Sequence, residues 1–189
     1  FDKNCPYQNH RFRKLIKELA DHAEVGIHPS YASSKQNEKM AVEVDRLKGI
    51  IDKPVQHSRQ HYLRMKLPDV YHRLAELEIP NDHSMGYASV VGFRASICSS
   101  YKAFDIIQNK ELNIRVHPFA FMDSALSDYL KVLPKDYIKF VRPLVSSVKQ
   151  VGGTLIGIWH NLDLADDKEK HSAFTEIIKE SINDQAHQA

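Results

Sequence analysis

The sequence predicts an α/β fold, and three observations point to it. Segments with the apolar spacing of helices alternate with short segments typical of strands. Residues 154–159 (TLIGIW) are apolar along nearly their whole length, as in a parallel strand covered on both faces. Four strand candidates are closely followed by a histidine. The pattern favours a parallel sheet or barrel, whose active sites gather at the carboxyl ends of the strands.

In the first half of the chain, helices are predicted where apolar residues recur at three- and four-residue spacing. These segments are residues 8–21, 37–51 and 68–78, the last with Pro68 in its first turn. The strand candidates between them are Glu24–Ile27 (EVGI) and Val55–Ser58 (VQHS). Residues 82–88 and 90–95 are interpreted as strand ends and loops.

In the second half, residues 112–121 alternate apolar and polar side chains, which predicts a strand that Pro118 ends. Asp123 is then the predicted N-cap of a helix over residues 124–132. Pro134 begins a long helix to Gln150, which the glycines at 152 and 153 close. We expect Pro143 to kink or break that helix. A strand at 154–159 and a helix at 168–183 complete the order.

Bulk properties narrow the class of protein. The 189 residues fit one domain with a sizeable core, and the net charge of +2 gives no support for a nucleic-acid partner. No apolar run approaches the ~20 residues of a membrane span, and no signal peptide is visible. The two cysteines have neither disulfide-framework nor zinc spacing, so we expect a reducing, cytoplasmic compartment. Because the chain starts at Phe1, we expect it to be an interior piece of a longer protein.

The residues that follow the strand candidates are the candidates for chemistry. They are His28, Arg59 with His61, His117, and His160 with Asn161; Asp82, Arg94 and Asp123 lie at other predicted strand ends or in loops. A rim of this kind could hold a divalent metal or an acid–base group. Taken singly, each histidine is more often a hydrogen-bonded structural residue. The arginines could equally pair with acidic side chains, and Asp123 could be no more than a helix cap. Trp159, beside His160, could pack in the core or stack on a sugar ring.

Several of these segments together resemble the polysaccharide deacetylase-like family, of carbohydrate-esterase type. Glu24–Ser33 (EVGIHPSYAS) resembles its metal-binding motif, Gly-x-His-[Ser/Thr]-x-x-His. Residues 58–62 (SRQHY) are similar to Arg-Pro-Pro-[Tyr/Phe], and residues 154–160 (TLIGIWH) resemble a late Leu-x-His motif. The wider set adds DHSMGYA, GFRA, and HPF with MD, and its order is similar to a bacterial subgroup associated with surface polysaccharide gene clusters.

The resemblance implies metal-assisted removal of an N-acetyl group from a sugar, on a distorted or incomplete (β/α) barrel. A divalent metal, most often zinc, polarises the acetyl carbonyl and activates water, an Asp acts as general base, and a late His protonates the leaving amine. Carried over, His28 matches the first metal histidine, Arg59 the arginine that orients the base, and His160 the general acid. Asp82 is the third expected catalytic residue. The expected substrate contacts are Arg94, His117, Asp123 and Trp159.

The chain departs from the family pattern at two points. Ala32 occupies the position of the second metal histidine. We expect His61, two residues after Arg59, to replace it as a ligand. The family's first motif, which carries the base Asp and a metal Asp, would precede Phe1. We therefore expect this single domain to lack its N-terminal strand and acidic motif.

The leading expectation is a metal-dependent sugar or polysaccharide N-deacetylase, most consistent with a zinc ion and a carbohydrate substrate. One alternative is a degenerate deacetylase that binds a glycan without turnover, which Ala32 favours. Another is a metal-dependent phosphoesterase on a similar barrel, with His117 and Asp123 holding a second metal. The sequence does not indicate the sugar, the metal or the oligomeric state.

Overall fold

The computed structural model describes residues 5–182. Three helices lie in the first half: α1 (His10–His22), α2 (Asn37–Ile51) and α3 (Asp69–Glu76). α1 begins after Asn9, whose side-chain oxygen accepts a hydrogen bond from the amide of Phe12 at 3.1 Å. All three predicted helices are confirmed, with small differences at their ends.

The chain divides into two compact units. Of the described residues, the first comprises 5–84 and Tyr101–His117, and the second comprises Met85–Ser100 and 118–182. Buried side chains of the first unit come from α2, α3 and the strands, and include Met40, Val44, Val70, Leu74, Ile114 and Val116. The predicted apolar stripes of these helices are thus the buried faces of the unit.

A four-stranded sheet forms the centre of the first unit. Its strands are β1 (His57–Ser58), β2 (Asn81–Asp82), β3 (Tyr101–Asp105) and β4 (Lys110–Val116). The order across the sheet is β1-β2-β4-β3. β1, β2 and β4 are parallel, while β3 and β4 form an antiparallel hairpin. Ile27 adds one parallel bridge to Ser58 at the far edge.

The strand predicted over residues 112–121 ends at Val116, because Phe121 belongs to a different sheet, and two further strand predictions need correction. Glu24–Ile27 is not a full strand, because only Ile27 pairs with the sheet. β3 was not predicted, and its antiparallel pairing with β4 departs from the expected parallel arrangement. Every other residue of β3 is exposed or half-buried, including Lys102 and Phe104, so its sequence lacks the apolar run that indicates a doubly covered strand.

In the second unit, β5 (Phe121–Met122) pairs in parallel with β6 (Gly157–Ile158). Its helices are α4 (Tyr137–Val151), α5 (Asn161–Asp166) and α6 (Lys168–Ile182). The predicted helix at 124–132 is wrong in kind, because the structure has a five-residue π-helical turn, Ala125–Tyr129. Position 183, the predicted end of the last helix, lies outside the described residues.

α4 follows a 3₁₀ turn that Pro134 begins, and it ends at Gly152, whose φ of 61° suits glycine. Pro143 lies inside this helix, which continues past it to Val151, so the alternative of a break at Pro143 is wrong. The core of the unit joins α4, α6 and the start of β5. It consists of Ala120, Phe121, Leu126, Tyr137, Ile138, Val141, Val145, Ala173 and Ile177. Across residues 5–182, we find no helix with the length and apolarity needed to cross a membrane.

Candidate active site

The first unit brings four strand-end segments to one edge of its sheet. The amide of Arg59 donates to the carbonyl of Ile27 at 3.0 Å, and the amide of His83 donates to Ser58 at 2.8 Å. The amide of His117 donates to Asp82, also at 2.8 Å. Each segment is therefore held beside its neighbour, as expected at the carboxyl edge of a parallel sheet.

His28 and His61 lie side by side at this edge. Nδ1 of His28 is 2.5 Å from the carbonyl oxygen of Arg59, and the two imidazole ring centres are 4.6 Å apart. Because a carbonyl only accepts, Nδ1 of His28 carries the hydrogen and Nε2 is the ring's lone-pair atom. A metal-ligating histidine is commonly oriented by a hydrogen bond from its other ring N–H to a backbone carbonyl.

The backbone around His61 is strained. Tyr62 and Leu63 have φ values of 54° and 50°, a left-handed conformation that is uncommon for bulky side chains. Each such residue costs on the order of 1 kcal/mol or more and is held by its surroundings. Here the ring of Tyr62 packs edge-on against Tyr31, whose hydroxyl accepts a hydrogen bond from Arg64. This turn places His61 next to His28.

His28 and His61, the expected metal ligands, offer the imidazole nitrogens that zinc prefers, but two ligands are too few. A structural or catalytic zinc takes at least three protein ligands. Across residues 5–182, the one group of three or more His, Cys, Asp or Glu side chains that could hold a metal ion is Asp123, His160 and Asp163, in the second unit. His28 and His61 therefore do not complete a metal site from the described part of the chain.

Asp82 is fully buried. Its two carboxylate oxygens accept hydrogen bonds from the amide of Ser84 at 3.0 Å and from the hydroxyl of Ser84 at 2.7 Å. Burial raises the pKa of Asp82 to about 6, although both bonds from Ser84 act to lower it. Ser84 also accepts from the amide of Gln60, so Asp82 anchors the loops after β1 and β2. Its catalytic role stays a prediction.

A row of three histidines crosses the same edge. Nδ1 of His57 is 3.0 Å from Nε2 of His83, and the rings of His83 and His117 stack with centres 4.5 Å apart. Nε2 of His117 is 2.9 Å from Oδ1 of Asn81. The sequence reasoning singled out His117 but missed His57 and His83. The register of β1 on β2, which pairs His57 with Asn81, brings these rings together, and a single sequence does not reveal it.

The second unit contains the Asp123–His160 pair at the ends of β5 and β6. Nδ1 of His160 is 2.6 Å from Oδ1 of Asp123, and the amide of His160 donates to Oδ2 at 2.5 Å. Asp123 also accepts from the amide of Ser124. Its carboxylate thus joins the two strand ends, and the expectation that it caps a regular helix is wrong. About half of the His160 side chain is exposed, so a substrate can reach it.

Burial acts to raise the pKa of Asp123, but the hydrogen bonds from the side chain and amide of His160 outweigh it and hold that pKa below its usual range. Asp123 is therefore an anion at neutral pH. It fixes the hydrogen of His160 on Nδ1 and leaves Nε2 as the atom that gains or loses a proton. This arrangement suits a general acid–base histidine.

Two other expected substrate contacts lie in the second unit. The ring of Trp159 packs against Phe121, Tyr137 and Phe174, so much of its surface faces the core. Arg94 is exposed in the loop after Met85 and has no hydrogen bond or ion pair with another residue of the described chain. For both residues, and for His117 in the first unit, the substrate role stays a prediction.

No protein-family model matches the chain, and no curated protein matches its sequence. Solved structures do match. A protein from Mycobacterium smegmatis assigned to the polysaccharide deacetylases aligns with a TM-score of 0.67 at 15% identity, over 94% of this chain and 64% of that one. A protein with the same assignment from Pseudomonas aeruginosa PAO1 gives 0.62 at 14% identity, over 89% and 57%. Puue allantoinase gives 0.65 at 12% identity, over 89% and 56%.

These likenesses confirm the predicted fold class. The chain has the α/β fold of polysaccharide deacetylase structures, and it shares that fold with an allantoinase. At 12–15% identity the likeness establishes the fold alone. The chain spans 56–64% of the length of these structures.

Proposed function

We propose that this chain is the hydrolase part of a polysaccharide deacetylase-like enzyme, which removes N-acetyl groups from a sugar or polysaccharide in surface polysaccharide biosynthesis. The observation that carries the proposal is the Asp123–His160 pair, because it combines a buried carboxylate with a reachable imidazole at the ends of adjacent parallel strands. Deacetylation needs such a group, since an amide nitrogen leaves only when it is protonated.

In this account His160 holds a proton at Nε2 and delivers it to the departing amine. Asp123 keeps the ring in one tautomer and stabilises the imidazolium through the Nδ1 hydrogen bond. Arg59, in the loop after β1, is proposed as the arginine that orients the catalytic base. Of the four sugar contacts expected from the sequence, Arg94, His117 and Trp159 are kept in the proposal, and Asp123 is assigned to His160 instead.

The metal is part of the proposal. His28 and His61 supply two neighbouring imidazoles, and a divalent ion, zinc in the first instance, would polarise the acetyl carbonyl. The described residues alone do not complete that site.

The test is acetate release from N-acetylated sugars by the full-length protein, with bound metal measured on the same sample. We expect release by the wild type and loss with His160→Asn. His171→Asn is the matched control, because His171 is exposed on α6 in the same unit. A folded, metal-loaded protein that releases no acetate from any such sugar would overturn the proposal.

A degenerate, carbohydrate-binding protein is the second candidate. It is favoured by Ala32 at the expected ligand position and by the incomplete His28–His61 pair. It predicts sugar binding that is unchanged by chelators and survives His160→Ala. A metal-dependent phosphoesterase, the other alternative, would need ligands for a second metal ion, and Asp123, His160 and Asp163 are the one such group among residues 5–182.

A further inference from the structure

The histidine row in the first unit continues to a carboxylate. Nε2 of His57 is 3.0 Å from Oε2 of Glu24, and Nδ1 of the same ring is 3.0 Å from Nε2 of His83. The three side chains therefore form a continuous chain of hydrogen bonds, Glu24–His57–His83. None of the three was assigned a function by the sequence.

The hydrogen atoms in the Glu24–His57–His83 hydrogen bonds can be placed by elimination. A carboxylate only accepts, so Nε2 of His57 carries a hydrogen and, in the neutral ring, Nδ1 is a lone pair. Nε2 of His83 must then donate to that lone pair, which leaves Nδ1 of His83 without a hydrogen. Among residues 5–182, this Nδ1 atom has no hydrogen-bond partner.

The neighbouring ring does not compete for the proton. The side-chain NH₂ of Asn81 donates to the carbonyl of Gln56. The side-chain oxygen of Asn81 therefore faces His117. Nε2 of His117 therefore donates to Asn81, and its ring only stacks on His83. The other charged groups that face His83 are His57 and Arg59.

The relay borders a cavity. His57 and His83 line a space of about 300 Å³ together with His28, Arg59, Ser58 and Glu24. Burial, and to a lesser extent repulsion from Arg59 and from protonated His117 and His57, lowers the pKa of His83 to about 4, so the ring is neutral at pH 7. At the other end the Glu24 side chain is 84% exposed and can exchange protons with solvent.

We propose that Glu24, His57 and His83 form a proton relay in which Nδ1 of His83 takes a proton from a water molecule in this cavity. The O–H bond breaks, the oxygen keeps the electron pair as hydroxide, and an N–H bond forms at Nδ1 of His83. At the same time the Nε2 proton of His83 passes to Nδ1 of His57. His57 becomes the imidazolium, which Glu24 stabilises and from which the proton leaves to solvent.

This inference rests on the proposed function for its reaction, since hydrolysis of an amide consumes an activated water molecule. It assigns the base to His83, with His57 and Glu24 as positioning residues. The geometry of the relay can be tested without any turnover, so its failure and the failure of the proposed function are distinguishable.

The structural arm of the test is ¹⁵N NMR of the imidazole rings in the full chain. The relay predicts that His57 and His83 both carry their hydrogen on Nε2 at pH 7, and that Glu24→Gln, whose amide can also donate, weakens this preference at His57. Glu38→Gln is the control, because Glu38 is exposed on α2 in the same unit. A hydrogen on Nδ1 of His83, or the same tautomer of His57 in Glu24→Gln and Glu38→Gln, would overturn the relay.

The kinetic arm uses the pH profile of acetate release. His83→Gln should lower kcat by about 10²–10⁴-fold, the usual contribution of a general base. Glu24→Gln should give a smaller loss and move the rising limb of the profile, which a purely structural role would leave in place. An unchanged kcat and profile in His83→Gln would remove His83 from the reaction.

Discussion

The imidazole of His160 and the carboxylate of Asp123 are joined twice, through the ring Nδ1 at 2.6 Å and through the backbone amide at 2.5 Å. The two bonds use both oxygens of one buried carboxylate. This fixes the position of the His160 backbone as well as the tautomer of its ring. The end of β6 and the end of β5 are thereby locked together at the candidate site.

Replacing Asp123 by Asn should impair catalysis more than binding. The amide can no longer stabilise the imidazolium and can present a donor to Nδ1, which favours the wrong tautomer of His160. We expect kcat for acetate release to fall by about 10²–10⁴-fold with little change in KM. Asp128→Asn, at an exposed carboxylate of the same unit, should have no such effect. Equal kinetics in the two variants would contradict the assigned role.

The stability of the protein should depend on pH through Asp82. Burial raises the folded-state pKa from 3.8 to about 6, which corresponds to about 3 kcal/mol. The folded state binds this proton more tightly than the unfolded state does. The stabilising contribution is therefore full below pH 3.8 and is lost as the pH rises through 6. The lowered pKa values of His83 and His117 act in the opposite direction.

Because His83 and His117 change the pH dependence of stability in the opposite direction, the contribution of Asp82 has to be isolated with a variant. We expect Asp82→Asn to gain stability relative to the wild type between pH 4 and pH 7.5, by up to about 3 kcal/mol, in urea unfolding. The lost acceptor to Ser84 costs about 1 kcal/mol at either pH and does not affect this difference. Asp45→Asn, at an exposed carboxylate, is the control. A stability difference that stays constant with pH would contradict the account of Asp82.

Metal binding should depend on His28 and His61. Either His→Ala change should lower the bound metal measured by elemental analysis, because one imidazole alone cannot hold the ion. His22→Ala removes an exposed histidine of α1 and should leave the metal content unchanged. Metal that survives both site variants but is lost with Asp163→Asn would place the ion at Asp123, His160 and Asp163 instead.

The pairing of β5 with β6 should require a glycine at position 157. A methyl group there would lie 2.4 Å from the ring of Phe121, whose side chain is buried in the core. We expect Gly157→Ala to destabilise the protein by about 1–3 kcal/mol, measured as a lower Tm. Gly49→Ala is the matched control, since a methyl at that helical position meets nothing within 4 Å and should stabilise by about 0.5–1 kcal/mol. Equal Tm values for the two variants would contradict this packing.

The helices and the residues at the strand ends could be predicted because they depend on local sequence patterns. The apolar stripes of α2 and α4 occur in the sequence at helical spacing, and the residues that follow Ile27, Ser58 and Val116 do meet at one edge. The same rule located His160, whose partner Asp123 was assigned a capping role. Asp123 and His160 meet because β5 pairs with β6, and these two strands are distant in the sequence.

The features that could not be predicted depend on which strands pair, in which register, and on which side chains of a strand are buried. β3 exposes Lys102 and Phe104, so it resembles a loop until its hairpin partner is known. Glu24, His57 and His83 are spread over three segments, and they meet only because β1 and β2 pair as they do. The π-helical turn at Ala125–Tyr129 has the composition of an ordinary helix and differs in its hydrogen bonding.

We propose that this fold carries a deacetylase site built around His160. The most direct measurement is acetate release from N-acetylated sugar oligomers by the full-length protein, with metal content determined, for the wild type and His160→Asn. The account predicts acetate release by the wild type and its loss in the variant, while His171→Asn stays active. Release at the same rate in His160→Asn, or none from a folded and metal-loaded wild type, would contradict it.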